Sequence, residues 1–198
     1  TQAQLFRDKL GDEDRAVELF NDALDLDPGR LDAFERINKI LNKEKNWKQL
    51  ERSYRKMLHR IAGRGDADLE FKLWHGLGLI YRDRMDRRSE AIDAFKMAAT
   101  VRPDDRQEHQ ILAELYEVSE RFDEAINEQR ELLKAEPLKV EPYEALYRLY
   151  LHKQSYDEAW CQAAALSFLG RADAEQARFY EDYRPQGMLS PQGRLTHE

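Results

Sequence analysis

Five histidines, one cysteine and 39 carboxylates are the residues of this 198-residue chain whose chemistry suits catalysis or metal binding. A metal needs convergent ligands, such as two histidines on one helical face with a carboxylate near by. His59, His75, His109, His152 and His197 show no such spacing, so no metal site is expected. His75 and His109 fall on corresponding segments of neighbouring sequence units, where an approach between them is conceivable. An ordinary surface or interface role is the reading adopted for each histidine. Cys161 lies in Ala159-Trp160-Cys161-Gln162-Ala163 and reads as a small apolar filler of a helix. A nucleophilic thiol would need a base and an electropositive pocket, and neither can be named for it. The carboxylates fall on helical surfaces, where charge runs are solvated faces. No glycine-rich phosphate cradle occurs. Neither catalysis nor a cofactor is expected.

Composition narrows the field further. Charged residues make up 36% of the chain and hydrophobic ones 41%, with 32 bases against 39 acids for a net charge of −7. High charge with modest hydrophobicity suits thin helical layers better than a thick sheet core. A single cysteine excludes a disulfide-stapled mini-fold and suits cytoplasm and periplasm alike, with the cytoplasm favoured. The longest uncharged run, Ala159 to Gly170, has twelve residues, short of the roughly 20 needed to span a bilayer. An acidic balance argues against general nucleic-acid binding. No basic, apolar leader opens the chain, and Thr1 already sits in a helical pattern. The sequence therefore reads as a piece of a longer protein.

The elements that position these side chains emerge from self-alignment. Trp74, Leu77, Gly78 and Tyr81, followed by Ala91, Phe95, Ala98 and Pro103, form the anchor. A small slot recurs as Ala16, Leu50, Ala91, Ala125 and Ala159, at spacings of 34, 41, 34 and 34. Four residues later stand Phe20, Tyr54, Phe95, Gln129 and Ala163, and three further on Ala23, Met57, Ala98, Leu132 and Leu166. A large slot on the preceding segment reads Phe34, Trp74, His109 and Tyr143, and a closing proline appears as Pro28, Pro103 and Pro137. Small side chains let two helices approach, aromatics fill the gap to the next pair, and proline punctuates the junction.

This pattern resembles the tetratricopeptide repeat, W-x2-L-G-x2-Y followed by A-x3-F-x2-A-x4-P. All eight positions are filled between Trp74 and Pro103, with one residue inserted between Tyr81 and Ala91. The resemblance covers roughly residues 1 to 170. It implies an all-α, right-handed superhelical solenoid of antiparallel helix pairs, about five of them with the first incomplete. Approximate units are 1–30, 31–66, 67–105, 106–139 and 140–171, followed by a capping helix over 172–183 and an extended tail or linker over 184–198.

Departures from the pattern are local. Leu5 and Phe6 align with Ile80 and Tyr81, which leaves the first unit truncated and its N-terminal face open. In the second unit, Trp47, Leu50, Tyr54, Met57, Leu58 and Ile61 form one extended apolar stripe. Gly63-Arg64-Gly65-Asp66 reads as a tight turn rather than an adhesion motif, with Asp66 or Asp68 available as helix N-cap. In the cap, Ala174, Ala177, Phe179 and Tyr180 are the expected inner positions. Arg82, Arg84, Arg87 and Arg88 interleave with Asp83, Asp86 and Glu90, a pattern that reads as local salt bridging.

The resemblance also implies that the first helix of each pair lines a concave, peptide-binding surface. Carried over residue by residue, the candidates include Glu35, Arg36, Lys39 and Lys43, then Lys72, His75, Leu79 and Arg82. Gln107, Gln110, Ile111, Glu114 and Glu117 follow, then Glu144 and Arg148. The family's clamp for a C-terminal carboxylate looks absent, because Gly76, Gln107 and Ile111 stand where further polar and basic ligands are needed. Bases gather at one end and acids at the other, which predicts a partner segment with its acidic portion toward the basic end. The expected function is non-catalytic: a scaffold binding a protein or peptide ligand, with no nucleic acid and no membrane. The alternatives are a self-assembling spacer stacking through Leu5 and Phe6, or a regulatory arm of a larger enzyme.

Overall fold

The repeating stripes of apolar residues are found as helices, in the order the spacing predicts. The computed structural model describes residues 13–183, and among these every regular element is an α-helix. They are α1 (Glu13–Leu26), α2 (Leu31–Lys43), α3 (Trp47–Ile61), α4 (Ala67–Arg84), α5 (Arg88–Val101) and α6 (Arg106–Val118). After them come α7 (Phe122–Ala135), α8 (Glu141–His152), α9 (Tyr156–Phe168) and α10 (Ala174–Asp182). The protein is an all-α helical repeat. Leu5, Phe6 and the tail over 184–198 lie outside the described residues.

Local chemistry explains the boundaries. Asn46 accepts from the Gln49 amide at 3.3 Å and Asp66 from that of Leu69 at 3.0 Å, so Asp66 rather than Asp68 is the N-cap of α4. Acids stand in the first turns of α7 and α9, where the helix dipole favours them. At the hairpin turns the first helix ends with a residue in the left-handed region: Lys45 (φ 55°), Glu120 (φ 58°) and Gln154 (φ 59°). Each next residue then returns its N–H five positions back, Asn46 to Leu41 (2.9 Å), Arg121 to Tyr116 (2.8 Å) and Ser155 to Tyr150 (2.9 Å). The insertion before Ala91 is absorbed here: Arg87 reaches Tyr81 over six positions, and Asp86 (φ 51°) takes the left-handed place.

The junctions between pairs repeat as well. His109 Nε2 donates to the Pro103 carbonyl at 2.8 Å, and Tyr143 Oη donates to the Pro137 carbonyl at 2.9 Å. A carbonyl only accepts, so this bond places the His109 proton on Nε2. The large slot thus ties each of these first helices to the proline turn before it. His109 is engaged with Pro103 and not with His75.

Two compact units divide the chain within α6, one ending at Leu112 and the other starting at Ala113. In the first, the small slots Ala16, Ala91 and Ala98 are fully buried beside Phe20, Leu24, Ile37, Leu41, Met57 and Phe95. Gly78 is buried against the Phe95 ring, where a β-carbon would stand 2.7 Å from ring atoms. Close approach of α4 and α5 therefore requires glycine. In the second unit, Ala125, Leu132, Leu146, Tyr150, Ala159, Ala163 and Leu166 form the core.

Two expectations about the second unit are corrected. Cys161 is exposed. With Ala159, Ala163 and Leu166 facing inward, a position two residues after Ala159 turns to the opposite side of the helix. In α10, Ala174 is exposed and Gln176 is buried in its place. Gln176 closes a capping box, its amide N–H donating to Asp173 Oδ1 (2.8 Å) while its Oε1 accepts from the Asp173 N–H (2.9 Å). The inner face continues from there through Phe179, edge-on to Tyr147, and Tyr180, stacked on Trp160.

Candidate functional site

In the first unit, the successive first helices α2 and α4 frame a cavity of about 360 Å³. Leu31, Phe34, Glu35 and Asn38 line it from α2, at i, i+3, i+4 and i+7. Asp68, Leu69, Lys72 and Leu73 line it from α4, with the capping Asp66 just before them. Tyr54 of α3 completes the lining, its ring edge-on to Phe34 at 5.1 Å. Gly76 makes this possible, since a β-carbon there would stand 2.6 Å from Tyr54 Cε1. Burial pushes the Tyr54 phenol above its ordinary pKa. Asn38 Nδ2 lies 3.5 Å from Tyr54 Oη, while Asn38 Oδ1 is buried without a donor.

Glu35 and Lys72 are the residues of the predicted groove set that line this cavity. Arg36 is half-buried, Lys39 is exposed, and Lys43 reaches Glu13 at 2.6 Å. That contact holds the Glu13 carboxyl below its usual range and raises the Lys43 ammonium. His75 Nδ1 meets Glu108 Oε1, and its ring lies between Phe71 (6.0 Å) and Phe95 (5.7 Å). Leu79 is half-buried, and Arg82 pairs with Asp83 at 2.6 Å and stands 5.8 Å over the Phe95 ring. Gln107 and Gln110 are exposed on α6.

Ile111 must be removed from the set. It is only 8% exposed, because Ile111, Leu112 and Leu115 together form the buried stripe of α6. In the second unit Glu114 and Glu144 are exposed, and Arg148 Nη2 lies 3.5 Å from Glu117 Oε1. The turn cluster is engaged locally. Arg87 pairs with Glu90 at 2.7 Å and lies over Tyr81, while Arg84 lies over Trp47.

Sequence reasoning missed Asn38, Leu69 and Glu108. Phe34 and Tyr54 were visible as repeat columns, and Asn38 follows Phe34 by one helical turn. Nothing in the spacing marks Glu108, whose side chain is fully buried.

A further buried contact carries a pH prediction. Tyr81 Oη donates to Glu51 Oε1 at 2.8 Å, and Arg55 reaches the same oxygen at 3.3 Å. Burial first, and the Glu51 carboxylate second, push the Tyr81 phenol from 10.0 up to about 12. A group with a raised folded pKa stabilises fully below its unfolded pKa and loses that contribution as pH passes the folded one. Tyrosinate absorbance should therefore show a component near 12 that is missing in Tyr81→Phe, with alkaline destabilisation falling between 10 and 12. A single tyrosinate transition at 10 in both proteins would contradict it.

Among the described residues, no group of three or more His, Cys, Asp or Glu stands close enough to hold a metal ion. Among the same residues, no helix is long and apolar enough to cross a membrane.

Comparison with known proteins agrees with this geometry. The tetratricopeptide repeat profile matches residues 3–30. No curated protein matches the chain by sequence. Solved structures do share its fold. A crystal structure of MamA has a TM-score of 0.53 at 20% identity, with 91% of this chain and 97% of that one covered. YrrB, described as a TPR protein with an unusual peptide-binding site, has 0.52 at 16% identity, with 91% and 88% covered. The Naa15/Naa10 structure bound to HypK-THB has 0.60 at 21% identity, with 83% of this chain covered and 23% of that one. The repeat columns, the helix pairs and the profile matched over residues 3–30 together give this chain the fold of tetratricopeptide-repeat proteins.

Proposed function

We propose that the chain is a non-catalytic docking module which holds an extended or helical segment of a partner protein against α2 and α4. The cavity between these helices carries the reading. Its apolar floor offers buried area, and Glu35 and Lys72 on its two walls offer polar contacts. The fold supports a protein-interaction module, and at least one protein of the same fold is described by its peptide-binding site. The exposed residues Gln107 and Gln110 would extend the contact along the same first-helix series.

Screening a displayed random-peptide library against the chain tests the proposal. Recovered peptides should lose at least about tenfold in affinity on Leu69→Arg, which pushes a charged side chain into the cavity. Unchanged affinity in a folded Leu69→Arg protein, or a library without binders, would overturn it.

A further inference from the structure

We infer that the cavity between α2 and α4 receives an arginine side chain of the docked segment. This rests on the docking reading above and names the chemistry of its central contact. Arg36, Lys39 and Lys43 do not line the cavity, so the basic end seen in the sequence does not set its charge. Glu35, Asp66 and Asp68 line it against the single base Lys72. Asp68 is already paired with Arg102, so Glu35 and Asp66 against Lys72 leave the lining acidic by one formal charge, opposite to the acidic ligand the charge gradient predicts.

The floor and the acceptors fit one side chain better than others. Leu31, Phe34, Leu69 and Leu73 provide apolar surface for a methylene stem. Acceptors stand on both walls, Glu35 on α2 and Asp66 at the start of α4. Asp66 Oδ1 is committed to the Leu69 amide, which leaves Oδ2 for an incoming donor.

A guanidinium carries five N–H donors in a planar fork and can serve two walls at once. A lysine ammonium is a compact, strongly hydrated charge and would serve one wall while forfeiting more hydration. The chain already displays this mode beside the cavity. Arg102 bonds Asp68 at 2.5 Å and lies 4.2 Å over the Phe71 ring. A glutamate would find only Lys72 in the lining, facing the carboxylates of Glu35 and Asp66.

The test uses the whole chain and a labelled, blocked Ala-Leu-Arg-Leu-Ala peptide, read by fluorescence anisotropy. Companion peptides replace arginine by citrulline, lysine or glutamate. The arginine peptide should bind about tenfold tighter than the citrulline one, whose shape is the same without the charge. Lysine should fall between them and glutamate last. Glu35→Gln, at an exposed position, should leave the melting temperature in place and remove most of the arginine–citrulline difference. Equal affinity for arginine and citrulline, tighter binding of glutamate, or a preference that survives Glu35→Gln would overturn the inference. Failure of all four peptides while the library still yields cavity-dependent binders overturns the arginine subsite alone. Failure of both removes the docking reading with it.

Discussion

Truncating His75 to alanine is expected to destabilise the first unit by about 3–5 kcal/mol. The cause lies in its partner. The Glu108 side chain is fully buried, its Oε1 faces His75 Nδ1, and its Oε2 has no donor. Glu108 stands in the first turn of α6, where the helix dipole gives partial compensation of about 0.3–1 kcal/mol. Removing His75 leaves a buried carboxylate with that compensation alone. Part of the loss is packing, since the imidazole also fills the space between Phe71 and Phe95. His75→Phe separates the two, because it keeps a ring and removes Nδ1. Urea unfolding should show that His75→Phe retains at least half of the alanine loss. The double variant His75→Phe/Glu108→Leu should recover most of it, because replacing both partners by apolar groups leaves no buried polar atom unmet. If His75→Phe alone unfolds within about 0.5 kcal/mol of the parent, the pair is not what holds Glu108 in place.

Gly78→Val should cost about 2–3 kcal/mol, at the upper end of the usual range for overpacking. A β-carbon at this position stands 2.7 Å from Phe95 Cε1 and Cζ and 2.8 Å from Cδ1. Phe95 is itself fully buried and has no open side into which to retreat. Replacing glycine by β-branched valine inside a helix ordinarily gains a few tenths of a kcal/mol, so a net loss isolates the clash. The companion Phe95→Leu vacates the ring and should restore part of the loss in the double variant, a non-additivity of at least about 0.5 kcal/mol. Additive effects would mean that Gly78 and Phe95 do not set the distance between α4 and α5.

How the chain divides its information can be read from particular residues. The column Ala16, Ala91, Ala125 and Ala159 is buried throughout, because a small side chain at a helix crossing is a requirement local to each pair. The insertion before Ala91 was legible as one extra residue, and it sits in the turn through Asp86. The cap was legible as an amphipathic segment, yet Asp173 and Gln176 moved its inner face away from Ala174. Ile111 and Cys161 were assigned to the wrong sides of their helices for the same physical reason. Apolar spacing fixes the period of a helix, while its rotation is set by what packs on either flank.

The candidate site shows the limit most clearly. Phe34 and Tyr54 could be placed in columns, but their edge-on contact depends on Gly76 admitting the Tyr54 ring to α4. His75 and Glu108 are 33 positions apart, and no periodic rule pairs a histidine with an acid at that distance. Helix content, pairing order and turn positions are legible before folding, because they follow from spacing and from local backbone chemistry. Which charges are buried and which acids line the cavity follow from the assembled helices instead. Those are properties of side chains brought together from different helices, and each depends on the distance and rotation at which the helices come to rest.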